Sequence, residues 1–273
     1  METGEALELL LGRVRGIASV RAIGISGSVH PLPKAGEGDI DVFMYCAEVP
    51  APAERDAVFA GLEGMAEDCR VRVLEGGRWG SGDFASINGV ETWLMYFTQR
   101  ETLADVNAVL AGEYPDKLDN YYYPVGRLAM LQTMTVLYDR DGFLQGLKDR
   151  LAVYPPALSK RLADFHLRAL GDTEDLARAA ERRDALFYHF ALDLALDHFL
   201  QALFAMNRKY FPSRKRTLQQ VSGFAVRPER CGERLLEAVR LGGTGETVSK
   251  SLAVWERLTA ELKSLYAGLE HGE

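Results

Sequence analysis

Two aspartates separated by one residue open the apolar run Asp39-Ile40-Asp41-Val42-Phe43-Met44, ten residues after the small-residue stretch Gly24-Ile25-Ser26-Gly27-Ser28. Residues two apart on a strand face the same way, so this spacing puts both carboxylates on one face. Carboxylates held close repel unless a cation lies between them. Their hard oxygens suit Mg²⁺, which takes one or two carboxylates together with phosphate oxygens. Gly27 allows a phosphate to approach the backbone closely, and Ser28 adds a hydroxyl and an amide N–H. Parts of this kind serve phosphoryl or nucleotidyl transfer, which depends on positioning and charge neutralisation.

Several elements must position these residues. The spacing of Leu7, Leu10, Leu11 and Val14 predicts an amphipathic helix over 5–18, followed by strands over 19–26 and 39–46 with a Pro/Gly-rich loop between them. A helix over 53–68 and a strand over 69–74 come next. Asn88-Gly89 favours a tight hairpin turn, and the apolar-aromatic strand Val90–Thr98 leaves it. Helices near 101–112 and 125–133 and a strand over 135–138 complete a mixed α/β half. Beyond Pro155-Pro156, which restrict the backbone, the pattern is helical: 157–170, 173–206 (one helix or two), 214–222, 229–240 and 246–269. The expected fold is α+β, with a mixed-sheet domain over 1–152 and an all-α bundle over 153–273.

The pairing of a Gly-Ser turn with an Asp-x-Asp strand, over roughly residues 20–100, resembles the polymerase-beta-type nucleotidyltransferase superfamily. The resemblance implies transfer of a nucleoside monophosphate from a nucleoside triphosphate to a hydroxyl, with two Mg²⁺ ions. It also implies roles: Gly27 and Ser28 at the triphosphate, Asp39 and Asp41 as metal ligands, and a third acid on a later strand. Glu91, just after the Asn88-Gly89 turn, stands where that acid is expected and would ligate metal or act as general base; Asp83 competes for the role. Many members carry Ser or Thr before the first acid, where this chain has Gly38.

The stretch from His198 to Lys215 is similar to the Leu-Phe-x-x-Asn-x-x-Tyr-x-Pro-x-x-Lys pattern of helical domains attached to bacterial small-molecule (aminoglycoside nucleotidyltransferase-like) enzymes. The similarity implies Asn207 and Lys215 as nucleotide-binding residues, Lys215 near the triphosphate; the alternative is a helix end with cations complementing its dipole. On the preceding helix His189, Asp193, Asp197 and Gln201 recur every four residues. Facing a cleft, Asp193 and Asp197 would hold a cationic acceptor such as an aminoglycoside-like amine; facing water, they are the solvated side of an amphipathic helix.

The expected partners are a triphosphate, with ATP as the expected donor, and a small-molecule hydroxyl. Transfer to a tRNA or protein, or an inactive nucleotide-binding or antitoxin-type module, are the alternatives. The acceptor's identity and a homodimeric assembly stay open. A net charge of −7 disfavours a sequence-independent DNA binder. Residues 1–150 carry 14 Lys/Arg against 23 Asp/Glu, a net of −9, while 151–273 carry 18 against 16, a net of +2. That asymmetry fits metal ligands in one half and anion-binding groups in the other. No apolar run reaches the roughly 18 residues of a membrane span. The acidic N-terminus and three widely spaced cysteines are those expected of a cytoplasmic chain with reduced thiols.

Overall fold

The computed structural model describes residues 2–27, 31–60, 62, 64 and 66–270. It is α+β, and the chain forms two compact units. Residues 1–107 and 130–153 make the first; residues 108–129 and 154–273 make the second. The chain thus passes between units three times, and segment 108–129 groups with the helices beyond Tyr154. Composition alone places one boundary near 150–156, because a discontinuous unit leaves no mark in local sequence.

The first unit is built on a six-stranded mixed sheet. Its strands are β1 (Val20–Ser26), β2 (Asp39–Cys46), β3 (Ala66–Leu74), β4 (Ser81–Ile87), β5 (Val90–Thr98) and β6 (Thr135–Asp139), in the order β3-β4-β5-β2-β1-β6. The central pair β2 and β5 is parallel and every other pair is antiparallel. A parallel pair needs a long connection, and here helix α2 (Pro52–Phe59) and the β3–β4 hairpin provide it. Helix α1 (Thr3–Gly16) buries Leu7, Leu10, Leu11 and Val14 on one sheet face, against Ile40, Val42, Met44, Leu94 and Tyr96. A capping box fixes its start, with the Glu5 carboxylate accepting from the Glu2 N–H at 3.0 Å.

Helix α2 stops at Phe59 instead of running to 68. Gly64 takes a positive φ of 77°, and Ala66 and Glu67 enter β3 despite their helical preference. Strand β3 is an edge strand, largely exposed and rich in charge, and its pairing with β4 is broken by two register shifts. A helix absent from the sequence-based expectation, Phe143–Leu151, follows β6. It turns Leu144, Leu147 and Leu151 inward, and Phe143 packs on Tyr45 on the sheet face opposite α1, ring centroids 5.6 Å apart.

Helices Gln99–Leu110 (α3) and Pro124–Thr133 (α4) precede it, so Phe143–Leu151 is α5. The second unit contains α6 (Pro156–Ala169), α7 (Glu174–Glu181), α8 (Ala185–Met206), α9 (Thr217–Val221), α10 (Cys231–Leu241) and α11 (Val248–Glu270). The expected segment 173–206 is two helices. The break falls at Arg183, whose φ is 57°, and Asp184 caps α8 by accepting from the Phe187 N–H. Phe199, Phe204, Phe211 and Trp255 are fully buried in the core of this unit. Among the described residues, no helix is long and apolar enough to cross a membrane.

Candidate active site

The site is built by register. In the parallel pair Asp39 is partnered with Glu91 and Asp41 with Trp93. Across the antiparallel neighbour Asp41 is partnered with Ser26, the residue before Gly27. Register partners share a sheet face, and so do residues two apart, so Ser26, Asp39, Asp41, Glu91 and Trp93 present side chains on one face. Their intervening neighbours Ile25, Ile40 and Leu94 face the α1 core instead. Partners on adjacent strands lie about 4.8 Å apart and Asp39 and Asp41 about 6.6 Å apart along β2. The three acids thus start from backbone positions within about 8 Å of one another on one face.

Exposure grades along the same strands. Asp39 and Glu91 are exposed and Asp41 and Trp93 half-buried, whereas Phe43, Tyr45, Met95 and Phe97 further along that face are buried. The acids therefore stand at the open end of a face whose other end is packed. Gly27 follows β1 with φ at 86°, and among the described residues an added Cβ would meet nothing within 4 Å. Ser28, assigned with it to the triphosphate, lies outside the described residues.

Asp83 is not part of this patch. It is partnered with Leu94 and so points to the opposite, α1-covered face. There it is wholly buried and ion-paired with the buried Arg55 at 3.0 Å, and it accepts from the Arg72 N–H at 2.9 Å. Burial pushes its carboxyl above the usual range in spite of these partners. Of the two contenders for third acid, only Glu91 shares the face of Asp39 and Asp41.

The structure redirects three assignments in the helical unit. Asp197 is only 1% exposed, and its carboxylate accepts from Lys117 Nζ, Tyr123 Oη and Arg214 Nε, each at 2.6 Å. Burial raises its pKa, but the bonds from Arg214, Lys117 and Tyr123 outweigh burial and hold it below the ordinary value. Asp193 pairs with the same Arg214 guanidinium. Asp197 is taken up inside the unit, and Asp193, which is exposed, pairs with Arg214 through Oδ1. The polar stripe is solvated only toward the start of α8: Asp193 is exposed and His189 half-buried, whereas Asp197 and Gln201 are buried. Asn207 donates through Nδ2 to the carbonyls of Leu203 and Val226, at 2.8 and 2.7 Å, and accepts from the Val226 N–H at 3.0 Å. It ties the end of α8 to the 226 loop, with both Nδ2 donors used inside the unit. Lys215 is exposed.

One constellation has no counterpart in the sequence-based expectations. Asp116, His166 and His198 place one ligand-type atom each within 4.8 Å of one another. They come from a loop, α6 and α8, and no linear spacing announces them.

A family model described as a domain of unknown function, DUF4037, matches residues 121–216, a span that leaves Asp39, Asp41 and Glu91 outside. No curated protein matches the chain. Among solved structures, a nucleotidyltransferase-like protein from Exiguobacterium sibiricum 255-15 is similar at 9% identity and a TM-score of 0.48. The alignment covers 100% of this chain and 81% of that one.

Proposed function

We propose that the chain is a nucleotidyltransferase that moves a nucleoside monophosphate from a nucleoside triphosphate, ATP being the expected donor, to a hydroxyl of a small molecule. The observation that carries this reading is the β1–β2–β5 register, which sets Asp39, Asp41 and Glu91 together on one face beside the turn at Gly27. The donor set fits a hard divalent cation: oxygen ligands only, on rigid strands, at the open end of the face. Asp39 and Asp41 would hold Mg²⁺, with Glu91 either a third ligand or the base; the ion, when bound, would neutralise triphosphate charge and polarise the acceptor oxygen.

The acceptor oxygen bonds to the α-phosphorus while the bond from that phosphorus to its bridging oxygen breaks, and pyrophosphate leaves. The acceptor's hydroxyl proton passes to a base. Glu91 is the exposed carboxylate beside Asp39 and is suited to that task. Gly27 itself offers a backbone with no side chain of its own in the way. Trp93, half-buried beside Asp41, gives the site an aromatic wall that limits water on that side. Because Asp193 and Asp197 are satisfied by Arg214, they lend no support to a cationic acceptor, and the proposed class is the hydroxyl alone.

The test is transfer of an α-phosphate label from each ribonucleoside triphosphate, with Mg²⁺, to a panel of polyhydroxylated small molecules. Labelled product with release of one pyrophosphate per transfer is the expected result. Absence of transfer to every acceptor, together with absence of triphosphate binding, would refute it.

A further inference from the structure

We propose that Asp116, His166 and His198 form a binding site in the helical unit for a divalent metal ion of the zinc type, independent of the carboxylates on the sheet. His166 lies on α6 and is fully buried, and His198 lies on α8 and is half-buried; the rings meet Nδ1 to Nδ1 at 2.9 Å. Asp116, on the loop before α4, brings a carboxylate oxygen within 4.8 Å of both rings' ligand-type nitrogens.

The surroundings of the three groups are those of metal ligands. His166 Nε2–H donates to the Pro115 carbonyl at 2.7 Å, so the Nδ1 lone pair is what this buried ring presents to His198. A ligating histidine almost always has its second nitrogen donating in this way, which fixes tautomer and ring orientation. The Asp116 carboxylate is steadied by the Lys117 N–H at 2.7 Å and by Gln201 Nε2 at 3.3 Å, both on Oδ1. His166 and Asp116 are thus each held from outside, and His198 Nδ1 faces the His166 Nδ1 lone pair.

Without metal, His198 Nδ1–H donates to His166 Nδ1. Binding requires His198 to carry its proton on Nε2 instead, with no net proton released. Tetrahedral ligation at about 2.0–2.1 Å sets two imidazole nitrogens about 3.3 Å apart, so an opening of about 0.4 Å converts the hydrogen-bonded pair into a ligand pair. Two imidazoles and one carboxylate favour Zn²⁺ over Mg²⁺ or Ca²⁺, and three protein ligands leave a fourth position for water or an anion. The bound ion would join α6, α8 and the loop before α4.

The experiment uses the full chain carrying Cys69→Ser, which removes the exposed thiol as a competing ligand. Titration with Zn²⁺ is followed by calorimetry and by the imidazole ¹⁵N resonances of its five histidines. One equivalent of Zn²⁺ should bind, with large shifts at two histidines, and Co²⁺ should give the intense visible bands of a four-coordinate site. His198→Ala, at a half-buried position, should bind Zn²⁺ at least tenfold more weakly. Should that variant unfold, the two-histidine shift in the intact protein decides the matter alone. No stoichiometric binding, or binding that leaves His166 and His198 unshifted, would overturn the proposal and leave the pair as a hydrogen bond between helices.

Discussion

Asp39 and Glu91 are direct partners across the parallel strands β2 and β5, although 52 positions separate them in the chain. Asp41, two residues on, shares their face beside Ser26. A sheet holds such a cluster with little adjustment, because strand register fixes where each side chain starts. On the proposed reading, a cation would offset the repulsion among these like charges on one face.

Glu91 and Asp83 should behave in opposite ways when changed. Glu91→Gln alters an exposed site, so unfolding by urea should move by less than about 0.5 kcal/mol while transfer falls by a factor of about 10² or more. Asp83→Ala strands Arg55, itself 3% exposed, without its partner and should cost about 3–5 kcal/mol. Parallel urea titrations and transfer assays on the two variants check both halves.

Asp197 serves the fold of the helical unit. Removing its carboxylate takes away the partner of Lys117 and Tyr123 and leaves Arg214 with Asp193 alone. Asp197→Ala should lower stability by about 3–5 kcal/mol. Asp193→Ala removes a more exposed pair to Arg214 and should cost less than about 1 kcal/mol. Comparable losses from the two would contradict this division of roles.

Asn207 and Lys215 can be separated in the same way. Asn207→Ala breaks three hydrogen bonds at the end of α8 and should cost about 1–3 kcal/mol without changing triphosphate affinity. Lys215→Ala, at an exposed position, should leave stability unchanged, and the triphosphate role inferred for it requires weaker nucleotide binding. Calorimetric titration with ATP and Mg²⁺ reads the difference.

The cysteines give a check on the fold itself. Cys46 and Cys231 are buried, which pushes both thiols up to about 12, while Cys69 is exposed. A thiol reagent at mildly alkaline pH should label one cysteine in the native protein and three after denaturation. Rapid native labelling at Cys46, inside β2, would contradict the sheet.

What the sequence revealed follows from how local each signal is. The Asp39–Asp41 pair was readable because strand side chains alternate with a period of two, and Val90–Thr98 because Asn88-Gly89 sets the turn before it. Helix α5 has helical spacing in Leu144, Leu147 and Leu151, but it is short and starts from a left-handed Gly142, a local signature it shares with a simple turn. The inward turn of Asp197 could not be read from the stripe on α8, because Lys117 and Tyr123 approach it from a segment more than 70 residues earlier. The metal-type cluster of Asp116, His166 and His198 is non-local in the same sense, assembled only by the packing of α6 against α8.

The most direct test of the central claim is thermal unfolding of wild type and Asp41→Asn with each of the four ribonucleoside triphosphates, with and without Mg²⁺. At nucleotide concentrations near 100 times Kd, linkage gives about 2.7 kcal/mol of stabilisation, a shift of a few degrees for a protein of this size. The account predicts a shift that requires Mg²⁺, appears for one nucleotide or a small set of them, and is lost in Asp41→Asn while the variant unfolds at the wild-type temperature without ligand. No shift with any nucleotide, or an equal shift in Asp41→Asn, would contradict it.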